Sequence, residues 1–230
     1  MIDLHSHILP GIDDGSPNLE TTRAMLLEMA AQGVQVVVAT PHFYAFADRP
    51  DGFLERRSAA LEKTAQLKEV NMTVLPGAEV AYFDGISHSE LLPQLQLGSS
   101  GHVLIEMPFC PWTQRMIQEV CDVQPHTGLI PVLAHVNRYC RRNQLLGCID
   151  MLLDSGVLFQ CNAEAFLSPF SRRWALQQVK AGNIHFLGSD AHNLTIRAPK
   201  LKQAGAVIEK KLGKEVLENI TAFSAEILKL

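Results

Sequence analysis

Two short motifs near opposite ends of the chain, His5-Ser6-His7 and Asp190-Ala191-His192, set potential metal-binding side chains two residues apart. In extended backbone, residues i and i+2 point the same way, so both members of each pair can reach one centre. More imidazoles and carboxylates stand between them: Asp13-Asp14, His42, Glu79, Glu106, His135, and Glu164 close to Asn162. A mixed set of imidazole nitrogens and carboxylate oxygens suits manganese, iron or zinc, whereas an all-oxygen shell suits magnesium or calcium. A single histidine at a strand end is usually a hydrogen-bonded structural residue, and a glutamate there is often a solvated cap. The number of such residues in one kind of place argues otherwise. Five histidines and four acids (Asp14, Glu79, Glu106 and Asp190) follow successive strand-like runs. Converging acids repel unless cations lie between them. His88, His102, His126 and His185 fall elsewhere and are read as structural or surface residues.

The elements that must position these side chains are short apolar runs. They are Ile2–His5, Val34–Thr40, Met72–Leu75, His102–Glu106, Leu129–Ala134, Val157–Cys161 and Ile184–Leu187. Nearly continuous Val, Ile, Leu and Phe marks parallel strands covered on both faces. Amphipathic stretches alternate with them. Leu19, Leu26 and Met29 share a helical face, as do Met116, Ile117, Val120 and Cys121. Leu145, Leu146, Ile149, Leu152 and Leu153 form a third stripe, and Leu201, Ala204, Ile208 and Leu212 a fourth. Ser16-Pro17 predicts a helix start with Ser16 as N-cap. Gly33, Gly128, Gly156 and Gly182 precede strands, where a helix exits through a left-handed residue. Phe83–Gly101 is the least regular stretch and reads as an extended excursion or an extra hairpin. Seven βα units predict an α/β fold, a distorted TIM-like (βα)7 barrel with the metal-capable residues at the C-terminal ends of its strands. An open doubly wound sheet is the alternative, but neither G-x-G-x-x-G nor a Walker A loop supports nucleotide binding on one.

Composition bounds the setting. With 230 residues, 47% apolar and a formal net charge of −4, the chain suits one domain, residues 1–230, with a full core. The charge gives no reason to expect nucleic acid as a partner. Five cysteines, odd in number and with no C-x-x-C, argue against a disulfide framework and for a reducing, cytoplasmic compartment. No signal-peptide pattern opens the chain and no uncharged run of 18 apolar residues occurs, so no membrane insertion is expected.

The segment Asp3–Gly15, with Thr40-Pro41-His42, Gly77-x-Glu79 and Gly188-Ser189-Asp190-Ala191-His192-Asn193, resembles the PHP (polymerase and histidinol phosphatase) superfamily. More narrowly it is similar to the bacterial protein-tyrosine phosphatases of capsular and exopolysaccharide biosynthesis. The likeness runs from Met1 to about Pro199, and the last thirty residues contribute little to it. It implies three divalent metal ions, manganese foremost, with iron, zinc or magnesium as alternatives. His5, His7, Glu79 and Asp190 would hold the first; a bridging Glu79 with Glu106 and His135 the second; Asp14, His42 and His192 the third. Arg138 and Arg197 would grip phosphate, and the implied partner is a phosphotyrosine protein, a bacterial tyrosine kinase. Where the family often has Pro and Glu after the fifth-strand histidine, this chain has Val136-Asn137.

Such a centre would activate water for in-line attack on a phosphate ester. No cysteine has an arginine six residues later, so the C-x5-R loop of cysteine-based tyrosine phosphatases is absent. Phe43, Tyr44, Phe46, Phe109, Trp112, Phe166 and Phe170 stand near the expected mouth, as ordinary loop packing or as a rim against an aromatic substrate. Phe43–Phe53 is read as a mobile lid or docking loop. Competing readings keep the barrel and change its chemistry or its substrate. They are a histidinol-phosphate or other small-ester phosphatase, a phosphodiesterase or exonuclease, an amidohydrolase, and a non-catalytic binding module.

Overall fold

The computed structural model describes residues 1–140 and 147–230. Leu145 and Leu146 of the third helical stripe therefore lie outside the described residues. Among these described residues there are nine strands: β1 Ile2–Ser6, β2 Val36–Ala39, β3 His42–Phe43, β4 Thr73–Pro76, β5 Glu79–Ala81, β6 His102–Glu106, β7 Ile130–Leu133, β8 Leu158–Asn162 and β9 Phe186–Gly188. Helices α1 Leu19–Ala31 and α2 Pro50–Thr64 follow the early strands; α3 Leu92–Leu95, α4 Gln114–Cys121 and α5 Val123–Thr127 lie in the middle. Then come α6 Asn137–Cys140, α7 Ile149–Asp154, α8 Glu164–Leu167, α9 Arg172–Lys180, α10 Leu201–Leu212 and α11 Lys214–Leu228.

Every strand pair is parallel. The strands run β1-β2-β4 in one sheet and β3-β5-β6-β7-β8-β9 in the other. The two sheets belong to one ring, because β2 and β3 are halves of one strand broken at Thr40-Pro41, and β4 and β5 halves of another broken at Gly77-Ala78. Proline has no N–H to give to a ladder, so the break falls where the sequence supplies one. The ring closes between the end of β9 and β1: Asp190 N–H donates to His5 O at 2.8 Å and His7 N–H to Ala191 O at 2.9 Å. The expected seven strands are thus there, two of them bent.

Side chains from opposite sides of the ring meet inside it. Leu4, Val38, Leu104, Val132 and Phe186 form an interior apolar cluster with Leu228 of α11. A larger cluster lies between the strands and the outer helices and includes Met25, Val37, Ile105, Phe159, Leu187 and Ile208. Gly33, Gly128, Gly156 and Gly182 all have positive φ, as their places before strands require.

Two local readings change, and a third segment gains detail. Helix α1 begins at Leu19, capped by Asn18, whose side chain accepts from Thr21 N–H at 2.9 Å. Ser16 is not the cap, because its hydroxyl is engaged with Asn18 O and with Thr22. Phe83–Gly101 holds a single 3-10 turn, Ile86–His88, and α3, with no hairpin. Within Phe43–Phe53, α2 already starts at Pro50, and the Asp48 carboxylate accepts from Tyr44 N–H at 3.0 Å and from Arg56 at 2.6 Å.

Candidate metal centre

The C-terminal strand ends open on one face, and the residues singled out by type gather there. From β1 and its following loop come His5, His7 and Asp14; from β3, His42; from β5, Glu79; from β6, Glu106. His135 follows β7, and Asp190 and His192 follow β9. His7, Asp14, His42 and His192 each present one ligand atom within 4.8 Å of the others. His5, His7 and Asp190 form a second such group, and His42, Glu79 and Glu106 a third. Glu79 is the hub: its Oε2 lies 3.3 Å from both His5 and His7 Nε2 and 3.0 Å from His42 Nδ1, and its Oε1 lies 2.9 Å from His135 Nε2. His135 Nε2 also stands 3.2 Å from Glu106. The grouping departs from the implied sets: His7 joins Asp14, His42 and His192, Glu79 is not grouped with His5, His7 and Asp190, and His42 stands where His135 was expected beside Glu79 and Glu106. His42 sits between two of these groups, with Nδ1 towards Glu79 and Nε2 3.6 Å from Asp14, because the break at Pro41 brings it alongside Glu79 in the β3–β5 ladder.

Local backbone explains how these side chains meet. The register of β1 on β2 shifts between Asp3 and Ser6. A regular strand would send Leu4 and His5 to opposite faces; across this bulge, Leu4 joins the interior cluster and His5 reaches Glu79. His135 and Asp190 are non-glycine residues with positive φ, at 32° and 52°. Such conformations are costly and cluster at functional sites. Gly15 and Gly188 allow close approach. A Cβ on Gly15 would lie 2.2 Å from His7 O, and one on Gly188 2.6 Å from His5 Cβ.

Neighbouring polar side chains set the tautomers. His7 Nδ1–H donates to Asp13 Oδ2 at 2.7 Å, turning Nε2 to the centre. His5 Nδ1–H donates to Gln160 Oε1 at 3.1 Å, and the same oxygen accepts from His135 N–H at 2.6 Å. Gln160 Nε2 donates to Asn162 Oδ1 at 3.0 Å, and Asn162 Nδ2 donates to Asp190 Oδ2 at 2.8 Å. Neither Asp13 nor Gln160 is among the predicted site residues. Gln160 had a signal: a long polar side chain inside the apolar run Val157–Cys161.

The charges interlock. Burial alone would depress His7, but Asp13 and Glu79 raise its pKa to about 10. Burial would raise Asp13, which its bond to His7 instead lowers to about 2. Asp190 and Glu79, against the same burial penalty, are held well below the usual carboxylate range, chiefly by His5. His192 falls to about 4 through burial and the charges of His7 and Arg197. Arg138 and Arg197 both rest on Asp190, the latter at 2.6 Å. Arg138 borders two hollows of about 300 Å³ and 100 Å³, and Arg197 borders the smaller.

Five buried atoms in this cluster have no aligned hydrogen-bond partner: His42 Nδ1, Glu79 Oε1, both ring nitrogens of His135, and His192 Nε2. Each such atom costs about 1–3 kcal/mol unless something compensates it. Imidazole nitrogens and carboxylate oxygens crowded at these distances are a donor set that fits divalent transition-metal ions.

Residues 1–229 match the family described as capsular polysaccharide synthesis, CpsB/CapC. The chain belongs to the CpsB/CapC family. The match extends past Pro199, so α10 and α11 belong to the family's architecture. The tyrosine-protein phosphatase YwqE of Bacillus subtilis (strain 168) is 32% identical over 235 residues, covering 99% of this chain and 91% of the relative. A solved structure described as YwqE from B. subtilis and CpsB from Streptococcus pneumoniae, metal-dependent tyrosine phosphatases, superposes with a TM-score of 0.87 at 28% identity, covering 100% of this CpsB/CapC chain and 94% of the other. Histidinol phosphate phosphatase from Lactococcus lactis shares the fold, with a TM-score of 0.59 at 14% identity, covering 91% of this chain and 92% of the other. Among the described residues no helix is long and apolar enough to cross a membrane.

Proposed function

We propose that this chain is a metal-dependent protein-tyrosine phosphatase, one PHP barrel over residues 1–230, acting on a phosphotyrosine-bearing bacterial tyrosine kinase in polysaccharide export. The observation that carries it is the gathering of five histidines and four acids on the strand-end face of a CpsB/CapC chain. His5, His7, Asp14, His42, Glu79, Glu106, His135, Asp190 and His192 would hold three divalent ions, manganese foremost. When bound, such ions supply Lewis acidity, acidifying water and drawing charge off phosphate oxygens.

The chain's own residues do the rest. Asp13 and Gln160 hold His7 and His5 in the tautomers that present Nε2 to the centre. Arg138 and Arg197 would orient the phosphate and neutralise its oxygens. A guanidinium carries five N–H donors in a planar fork, so anchorage to Asp190 leaves donors for an anion in the adjoining hollow. A phenolate leaving group, of parent pKa about 10, needs less protonation than an alkoxide, which suits a site whose acids are given over to metal. Asn137, where the family often has Glu, accepts from Asn162 N–H at 3.0 Å and so ties the β7 loop to β8.

The test is a substrate panel with the purified protein loaded with Mn, Fe, Zn or Mg. Phosphotyrosine peptide should be hydrolysed, phosphoserine peptide and histidinol phosphate poorly. Activity confined to histidinol phosphate would overturn the substrate; full activity after stringent chelation would overturn the metal centre.

A further inference from the structure

Exposed apolar side chains scattered singly are normal on any protein, but several that surround one polar site call for a role there. Among the described residues, eight large apolar side chains are exposed, and five of them stand in connections that follow the C-terminal strand ends: Phe46, Phe109, Leu194, Ile196 and, past the short α8, Phe170. Three are almost wholly in solvent, Phe46 at 87%, Phe170 at 89% and Ile196 at 85%.

Four of the five stand beside the centre or one of its hollows. Phe46 packs on Tyr44 at 5.7 Å, and Tyr44 stacks on His42 at 5.3 Å. Phe109 stacks on His135 at 5.9 Å and borders the larger hollow with Arg138. Phe170 stands between Ser168 and Ser171 of that same hollow. Ile196 borders the smaller hollow with Arg138 and Arg197. These connections follow β3, β6, β8 and β9, so they are spread around the ring. Neighbouring strands are about 4.8 Å apart, so a ligand touching several of these connections must be far longer than one phosphate ester.

We infer that Phe46, Phe170 and Ile196 form an apolar rim that docks the residues flanking a phosphotyrosine in a polypeptide substrate, while the arginines take the phosphate. The inference rests on the phosphatase reading and deepens it. The occupant follows from complementarity: a dianion belongs between two guanidinium groups, and the apolar surface beside them is covered by the apolar neighbours of the same residue. The rim then separates a protein substrate from a small ester that shares the same phosphate chemistry.

The experiment measures steady-state kinetics of the metal-loaded protein on free phosphotyrosine and on a phosphotyrosine peptide with Leu or Ile on both sides. Wild type is compared with Phe46→Ser, Phe170→Ser and Ile196→Ser, all exposed positions. Each substitution should raise KM for the peptide about fivefold to tenfold, the loss of roughly one buried apolar contact. kcat should hold, and KM for free phosphotyrosine should not move. Unchanged peptide KM in all three variants, with both substrates hydrolysed, would overturn the rim alone. Equal rises for both substrates would assign these residues to the phosphate site and overturn it too. A wild type that hydrolyses neither substrate would overturn the phosphatase reading, and the rim with it. Self-association of wild type, lost in the variants at unchanged KM, would give the surface to a second copy and overturn the proposal.

Discussion

At the scale of single residues, the centre depends on side chains that would never touch an ion. Gln160 Oε1 accepts both from His5 and from the His135 backbone, at 3.1 Å and 2.6 Å. Its replacement by Leu removes the acceptor and leaves the His5 Nδ1–H and His135 N–H unpartnered. Gln160→Leu should therefore weaken metal retention by about 10–100-fold, measured by competition with a chelator, with the circular dichroism spectrum retained. His7 carries a second expectation. Its pKa, raised to about 10 without a cation, means the ring is protonated at neutral pH, whereas a ligand imidazole must offer a lone pair. Metal uptake should release a proton, so affinity should rise between pH 6 and pH 9, and calorimetric heats should vary with the buffer's ionisation enthalpy. The same raised pKa contributes stability to the cation-free chain that is full below about 6.5 and lost as pH climbs through about 10.

At the scale of elements, breaks in regularity do the positioning. Pro41 splits one strand and the Gly77-Ala78 step another, and the second halves carry His42 and Glu79 to the mouth. The shifted register in β1 lets adjacent Leu4 and His5 serve the interior together. Gly188, at the end of β9, leaves room for His5 and Gln160: a Cβ there would stand 2.6 Å and 2.7 Å from them. Gly188→Ala should cost about 1–3 kcal/mol of stability by overpacking. It should cost far more in function, about 100-fold in kcat/KM, because an ångström of displacement at a catalytic centre has that effect. Thermal unfolding and kinetics on the same preparation would check both figures.

At the scale of the whole molecule, the ring is closed at one end by apolar side chains and left polar at the other. Leu228 of α11 lies in the interior cluster, with Phe223 and Ile227 packed against it and Phe223 stacked on Phe186 at 5.4 Å. The helix also lies within the family match, although the motifs that carry the likeness end near Pro199. Leu228→Ala should cost about 2 kcal/mol, the low end for a buried leucine, and lower Tm by about 4–8 °C in a chain this size. The residues of the centre lie at the opposite strand ends, so metal content per folded molecule should hold. A scanning calorimetry trace beside metal analysis would separate the two effects.

Much of this was legible in the sequence for a physical reason. Strands buried on both faces must be apolar throughout, so all seven runs stand out, as do the polar residues that end them. The order βα repeated sends every such end to one face, so convergence follows from topology alone. Helix exits at Gly33, Gly128, Gly156 and Gly182 were equally plain, since only glycine takes a left-handed conformation at little cost. What the tertiary structure decided were distances between residues remote in sequence. Nothing along the chain says that Gln160 reaches His5, that both arginines lean on Asp190, or that His42 faces Glu79 as well as Asp14. Those contacts depend on a bulge, two bent strands and the closure of β9 onto β1, and each is set by pairing across the ring rather than by any local preference.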